Sequence, residues 1–272
     1  MITTEAPEVF AAFLGDRMKA SCGWFRGPED TLDTAQEESL RRICAAAELR
    51  GGEHVLDLGC GWGGLALFLA EELGCAVTAV TPSAAQADFV AERAHRLGLA
   101  DRIEVISAPL EAVEFPAKSF DAVAMVEVAH HLPKGRAPLR AAYDVLRRNG
   151  ILYLSQTCYR GERARREHER GPADARAGRG CTAARTLSDL MAEVEDADFS
   201  LASSADLTEH YDTTMRRWQR GLQENRTVVE AVSPGLADAL YDRFEIARAD
   251  LSHLTKQYAL TAVRSRLGRC SV

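Results

Sequence analysis

The sequence predicts an α/β fold: a mostly parallel seven-stranded sheet with helices on both faces, preceded by N-terminal helices and closed by a helical lid. Two observations carry that prediction. From residue 54 onward, short apolar runs alternate with stretches of helical periodicity, the pattern that builds a parallel sheet. The first run, His54-Val55-Leu56-Asp57-Leu58, feeds into the cluster Gly59-Cys60-Gly61-Trp62-Gly63-Gly64, which opens a helix. Strand, glycine turn and helix begin a nucleotide-binding βαβ unit. The glycines let the chain turn tightly and let a ligand sit against bare main chain.

Residues 8–19 read as a short amphipathic helix with Val9, Phe10, Phe13 and Met18 on its apolar side. Ser21-Cys22-Gly23-Trp24-Phe25 is a compact turn, broken by Gly27-Pro28-Glu29-Asp30. Thr34 to Ala47 is helical, with Leu40, Ile43 and Cys44 on one face, and Gly51-Gly52 ends it. Strand 1 covers 54–58, its helix 63–73 and strand 2 76–80. Thr81-Pro82-Ser83 caps a helix running to Leu97, because Ser and Thr supply the cap oxygen and proline fits a helix start. Gly98 closes it. Strand 3 is 103–106 and strand 4 is 120–126. A helix over 136–147 ends at Arg148-Asn149-Gly150, which suits a left-handed cap, and strand 5 is 151–155.

The pattern then breaks. Residues 160–185 hold eight arginines against four acids, with several glycines and no apolar periodicity. This reads as a mobile basic insertion, either a solvated loop or a lid. A helix at 186–194, a strand at 199–207, a long helical region over 209–250 and a strand at 256–264 complete the chain. The organisation is a single domain in four parts. These are an N-terminal helical cap (1–50), a cofactor-binding core (51–158), the basic insertion (159–185), and the rest of the core with a helical lid (186–272).

At 272 residues and 46% hydrophobic content the chain suffices for one large core. A net charge of −7 argues against a nucleic-acid footprint. The seven cysteines are scattered, with no CxxC pair and no metal-ligand spacing, so a reduced protein without a metal is expected. The N-terminus has no basic region and no long apolar segment, so neither a signal peptide nor a membrane span is expected, and the expected location is cytoplasmic.

Five blocks, in order, carry a resemblance. They are Ser21-Cys22-Gly23-Trp24-Phe25, Thr31-Leu32-Asp33-Thr34-Ala35-Gln36, the glycine block 54–64, Val77-Thr78-Ala79-Val80-Thr81-Pro82-Ser83-Ala84-Ala85-Gln86, and His210-Tyr211-Asp212-Thr213-Thr214-Met215-Arg216-Arg217-Trp218. Together they resemble class I S-adenosylmethionine-dependent methyltransferases, in the cyclopropane fatty acid synthase-like branch with its natural-product relatives. The resemblance implies a Rossmann-like core, S-adenosylmethionine as cofactor, and C-, O- or N-methylation of a small hydrophobic or aromatic acceptor. It implies no nucleic-acid partner and no stable membrane insertion, and it leaves a homodimer open.

Asp57 ends strand 1 where a carboxylate holds a cationic ammonium, directly or through water; the alternative is an acid stabilised by a helix N-terminus. Gly59, Gly61 and Gly63 bring backbone to the cofactor's amino-acid end. The resemblance implies Thr81 and Gln86 for the ribose hydroxyls, and Ser21 and Gln36 for the edge over the carboxylate. Ala108-Pro109-Leu110-Glu111 lacks the family's usual acid for the adenine amino group, so the Leu110 backbone or the Glu111 side chain takes that place. Val126 and Glu127 face the crevice beyond strand 4.

Methyl transfer is an in-line displacement, so alignment supplies much of the rate, and a base is needed only when the acceptor must lose a proton. His130 and His131 follow strand 4, and a histidine titrates near neutral pH. Adjacent residues seldom face one way, and His130 is preferred. In the cyclopropane synthases a carboxylate, a histidine, a cysteine and a tyrosine hold bicarbonate as base. The resemblance places these at His130, Ser155, Cys22 and Tyr211. Two of the four survive, which argues against alkene cyclopropanation and against a need for bicarbonate. Tyr211, Trp218 and Tyr153 are candidates for the acceptor pocket. The alternatives are a cyclase or cyclopropane-forming enzyme on the same fold, a fatty acyl cyclopropane synthase, and an NAD-dependent oxidoreductase. The last requires an acid at the end of strand 2, where Thr81 stands.

Overall fold

The computed structural model describes residues 6–109, 112–128, 132–170 and 185–264. Helices α1 (Pro7–Leu14) and α2 (Leu32–Ala46) precede β1 (His54–Leu58). Then come α3 (Gly64–Leu73), β2 (Ala76–Thr81), α4 (Ala84–Arg96), β3 (Ile103–Ser107), β4 (Phe120–Val126), α5 (Arg136–Val145) and β5 (Leu146–Tyr159). The C-terminal part runs α6 (Glu162–Arg170), α7 (Leu187–Asp196), β6 (Phe199–Asp206), α8 (Thr208–Glu224), α9 (Arg226–Val232), α10 (Leu236–His253) and β7 (Thr255–Arg264).

The sheet has seven strands in the order β3-β2-β1-β4-β5-β7-β6. β1 to β5 are parallel, and β7 runs antiparallel to both β5 and β6. The predicted α/β class, strand count and mostly parallel sheet are therefore what the chain forms. Side chains alternate across β1: Val55 enters the core under α2 and α3, while Leu56 enters the core under α5 and α7. A third core lies off the sheet, where Phe13 of α1 meets Trp218 and Leu222 of α8 and Leu240 of α10.

Four local expectations are corrected. The first helix stops at Leu14 rather than reaching residue 19. Gly15 turns at φ +77°, and the Asp33 carboxylate accepts the Asp16 N–H at 2.9 Å. The released segment brings Lys19 into the interior. The second is the helix end at Asn149-Gly150. Asn149 is left-handed (φ +67°), but it lies inside β5, where the ladder jumps from Phe120–Leu146 to Ala122–Ile151. A left-handed Asn-Gly serves a strand irregularity as well as a helix cap.

Third, the region 209–250 is three helices, broken at Asn225 and at Ser233-Pro234-Gly235. Fourth, the basic insertion is not uniformly loop. Residues 162–170 form α6, held by Arg163–Glu167 and by Arg165 and Arg166 on Glu162. Arg185 is buried, 2.7 Å from Glu193, and its guanidinium donates to the Pro133 carbonyl. Residues 171–184 lie outside the described residues.

Candidate active site

The strand order reverses between β1 and β4, and in open α/β sheets the ligand crevice opens at the carboxyl ends of the strands at that point. A hollow of 60 Å³ lies there, lined among others by Lys19, Ser21, Asp57, Gly59, Gly61 and Val126. Gly59 sits at φ +84°, and a Cβ on it would meet Val128 Cγ2 at 2.5 Å. Gly61 is also left-handed, but a Cβ on it would meet nothing within 4 Å, so the space before its backbone is open to a ligand. Asp57 is buried, and its Oδ2 has no hydrogen-bond partner. Burial pushes its carboxyl up to about 7, against a backbone N–H from Ala66 that lowers it. A buried polar atom of this kind calls for a donor, and a cationic ammonium satisfies it best.

The other expected cofactor residues are placed as follows. Ser21 lines the hollow. Gln36 is fully buried and braces the loop instead: Nε2 donates to the carbonyls of Leu14 (2.5 Å) and Lys19 (3.1 Å), while Oε1 is buried without a partner. Gly63 is the N-cap of α3. The Thr81 hydroxyl at the end of β2 donates to Gln86 Oε1 at 2.6 Å, and the Ser83 hydroxyl caps α4. That contact fixes the Gln86 amide at the mouth of the strand. Leu110, Glu111, His130 and His131 lie outside the described residues.

A second perturbed carboxyl is that of Glu127. It follows β4 in the left-handed region (φ +57°), a conformation that side-chain-bearing residues avoid and that clusters at functional sites. Its N–H donates to the Ser155 carbonyl at 2.9 Å. Its Oε1 accepts from Ser155 Oγ at 3.3 Å and from the Gln257 amide. Loss of water raises its carboxyl, the Lys19 charge and these donors lower it, and the balance is about 7. Burial brings Lys19 down to about 8, and its Nζ donates to the Cys22 carbonyl at 2.5 Å. Burial also pushes the Cys22 thiol up to about 12 and the Tyr211 hydroxyl well above its ordinary value. Neither is a base at neutral pH; Glu127 is poised to be one.

The sequence put Glu127 in the crevice without giving it a proton to carry. Its position directly after strand 4, beside the topological switch, was the available signal. Nothing in the sequence marked Lys19.

Two distant sequence blocks meet at this site. The Gly23 N–H donates to Thr214 Oγ1 at 2.9 Å and the Phe25 N–H to His210 Nδ1 at 3.3 Å. The Trp24 and His210 rings lie 4.3 Å apart. Thus α8 clamps the turn that carries Cys22. A second cavity, of 210 Å³, opens between α1, α8 and α10, above Thr157 and Thr255 of the sheet. Tyr211 and Trp218 line it, and Trp218 Nε1 is a buried donor without a partner. Tyr153 does not line it and lies in the core under α2 and α3. Ala20 borders both cavities, so they are neighbours. A larger hollow of 480 Å³, against Leu56, Met125 and Pro138, lies on the opposite face of the sheet from Asp57.

The family model of mycolic acid cyclopropane synthetases matches residues 5–246. The chain is similar to (S)-coclaurine N-methyltransferase of Thalictrum flavum subsp. glaucum, at 32% identity over 147 residues, 54% of this chain and 40% of that protein. It is similar to a sphingolipid C9-methyltransferase of Komagataella phaffii, at 28% identity over 238 residues, 80% of this chain and 47% of that protein. It therefore spans less than half the length of these curated relatives. A cyclopropane synthase from Mycobacterium tuberculosis superposes with a TM-score of 0.83 at 19% identity, covering 95% of this chain and 94% of that one. A coclaurine N-methyltransferase bound to N-methylheliamine and S-adenosylhomocysteine gives 0.80 at 22%, covering 94% and 80%. At those identities the superpositions establish a shared fold. The match over most of the sequence, on that fold, makes this chain a member of the mycolic acid cyclopropane synthetase family.

Proposed function

We propose that the chain is an S-adenosylmethionine-dependent methyltransferase for a small apolar or aromatic acceptor, with Glu127 as the group that takes the acceptor's proton. The observation that carries this reading is the placement of Glu127. Its charge acts on Lys19, in the wall of the 60 Å³ hollow, and on Tyr211, in the wall of the 210 Å³ cavity.

The residues of the smaller hollow fit the cofactor. Asp57 would hold its ammonium, the backbone at Gly59 and Gly61 its amino-acid end, and Gln86, oriented by Thr81, its ribose. When bound, S-adenosylmethionine supplies an electrophilic methyl group on a sulfonium, a good leaving group. The protein's own part is to align the acceptor, exclude water and hold the proton. Loop 15–25, braced by Gln36 and clamped by α8, closes over the hollow. An amine, hydroxyl or activated carbon directed at Tyr211 lies beside Glu127, half of whose carboxyl groups are ionised at about pH 7.

The acceptor cavity is below the roughly 300–1,000 Å³ of sites for drug-sized ligands, which favours a small ring system over a long acyl chain. Ser155, the position that resemblance gives to a bicarbonate-holding histidine, instead donates to the Glu127 carboxylate.

Labelled methyl transfer to a panel of small aromatic amines and phenols tests the reading, together with calorimetry of S-adenosylhomocysteine. Glu127→Gln should lower turnover by about 10²–10⁴-fold and leave cofactor affinity within about twofold. His130→Ala and His131→Ala are measured beside it. A full loss in either histidine variant, with Glu127→Gln active, would return the base to the histidine pair.

A further inference from the structure

The acceptor cavity has an apolar wall with a cation set into it. Phe10, Phe13, Tyr211, Trp218 and Phe244 supply five aromatic rings, and Arg243 of α10 lines the same space, half-buried. Among the described residues Arg243 forms no hydrogen bond, salt bridge or ring contact. Its own helix offers no carboxylate one turn away. Positions three and four away are Leu240, Ile246, Ala239 and Ala247. Nearby acids are engaged elsewhere: Glu245 with Arg248 and Gln219, Asp212 with Arg216 and Arg248. Asp250, two turns further on, lines the same cavity, and no salt bridge joins it to Arg243.

A guanidinium facing an aromatic hollow has given up part of its hydration without gaining a counter-ion. The deficit is made good by an anionic ligand, and the planar fork of arginine suits a carboxylate, which it binds through two parallel N–H donors. The charges of Glu127 and Arg243 both act on the Tyr211 hydroxyl, with opposite sign. Arg243 and Tyr211 line the same cavity, and Tyr211 is the lining residue on which Glu127 acts.

We propose that Arg243 is the anion anchor of the acceptor site. The acceptor is then a small aromatic or alicyclic molecule bearing a carboxylate, with its acid on Arg243 and its methylated atom towards Tyr211 and Glu127. This rests on the methyltransferase reading above. It narrows the acceptor from any small hydrophobic molecule to an organic acid.

The test is calorimetry on the full chain saturated with S-adenosylhomocysteine. The probes are two pairs, phenylacetate with phenylacetamide and indole-3-acetate with indole-3-acetamide. The wild type should bind each acid at least tenfold more tightly than its amide. Arg243→Gln should abolish the difference, and Arg243→Lys should keep part of it. A melting curve of each variant verifies folding. Equal binding of acid and amide by the wild type, binding of neither, or an acid preference that survives in folded Arg243→Gln overturns the proposal. So does a preference for phenyl phosphate over phenylacetate by tenfold or more, since that assigns the anchor to a phosphate ester. Failure of S-adenosylhomocysteine to bind at all sinks the methyltransferase reading instead, which keeps the two failures apart.

Discussion

Replacing Asp57 by Asn should stabilise the protein without cofactor and weaken its hold on the cofactor. In the folded chain the Asp57 carboxyl sits at about 7, because it is buried and one oxygen has no partner. In the unfolded chain it ionises near 4. Its folded value is raised, so the stability it contributes is complete below pH 4 and is lost as the pH rises through 7. Three pH units at about 1.4 kcal/mol each put the loss at pH 8 on the order of 4 kcal/mol. Asparagine carries no charge, but its buried amide lacks a partner, which costs about 1–3 kcal/mol. The variant should therefore be more stable than wild type by about 1–3 kcal/mol at pH 8 and show no advantage at pH 5. For a chain of this length that is roughly 2–4 °C of melting temperature per kcal/mol. Losing a charge-assisted bond worth about 1.5–3 kcal/mol should weaken S-adenosylhomocysteine roughly 10- to 150-fold. At pH 6 the wild type should release close to one proton on binding, read by calorimetry in buffers of different ionisation enthalpy, and the variant none. A variant that melts below wild type at both pH values, or binds S-adenosylhomocysteine equally well, would refute the assignment.

Two further outcomes follow from the same geometry. The Lys19 charge lowers the Glu127 carboxyl, so Lys19→Met should move the rise of activity with pH, centred near 7 in the wild type, to higher pH; an unmoved profile would show that Glu127 does not set it. Arg185→Ala breaks a buried pair with Glu193 and frees the Pro133 carbonyl, and should destabilise the chain by about 3–5 kcal/mol in denaturant unfolding; a loss below 1 kcal/mol would show the pair to be ornamental.

The sequence by itself determined the sheet and the glycine turn that borders the 60 Å³ hollow. Apolar runs, glycine turns and capping residues are local signals, and each acts within a few residues of where it is written. Hence His54–Leu58, Gly59 to Gly64 and Thr81-Pro82-Ser83 could be read directly, and Asp57 with them. The left-handed Asn149 was also legible, but whether it ended a helix or bent a strand depended on β4 pairing beside it. The segment 162–170, with Ala164 its one apolar residue, became helical with arginine–glutamate pairs along it, which hydrophobic periodicity does not register. Tertiary structure alone decided the surroundings of Glu127. Glu127 is an ordinary acid in sequence. Its value near 7 arises because burial removes water from it, an upward push that Lys19, Gln257 and Ser155, from three separate parts of the chain, offset only in part. Arg243 likewise reads as one more surface arginine until α10 packs over α8 and sets it in the wall of a cavity lined by five aromatic rings, with no salt bridge of its own among the described residues. Desolvation and long-range pairing are properties of the packed chain, and no window of sequence contains them.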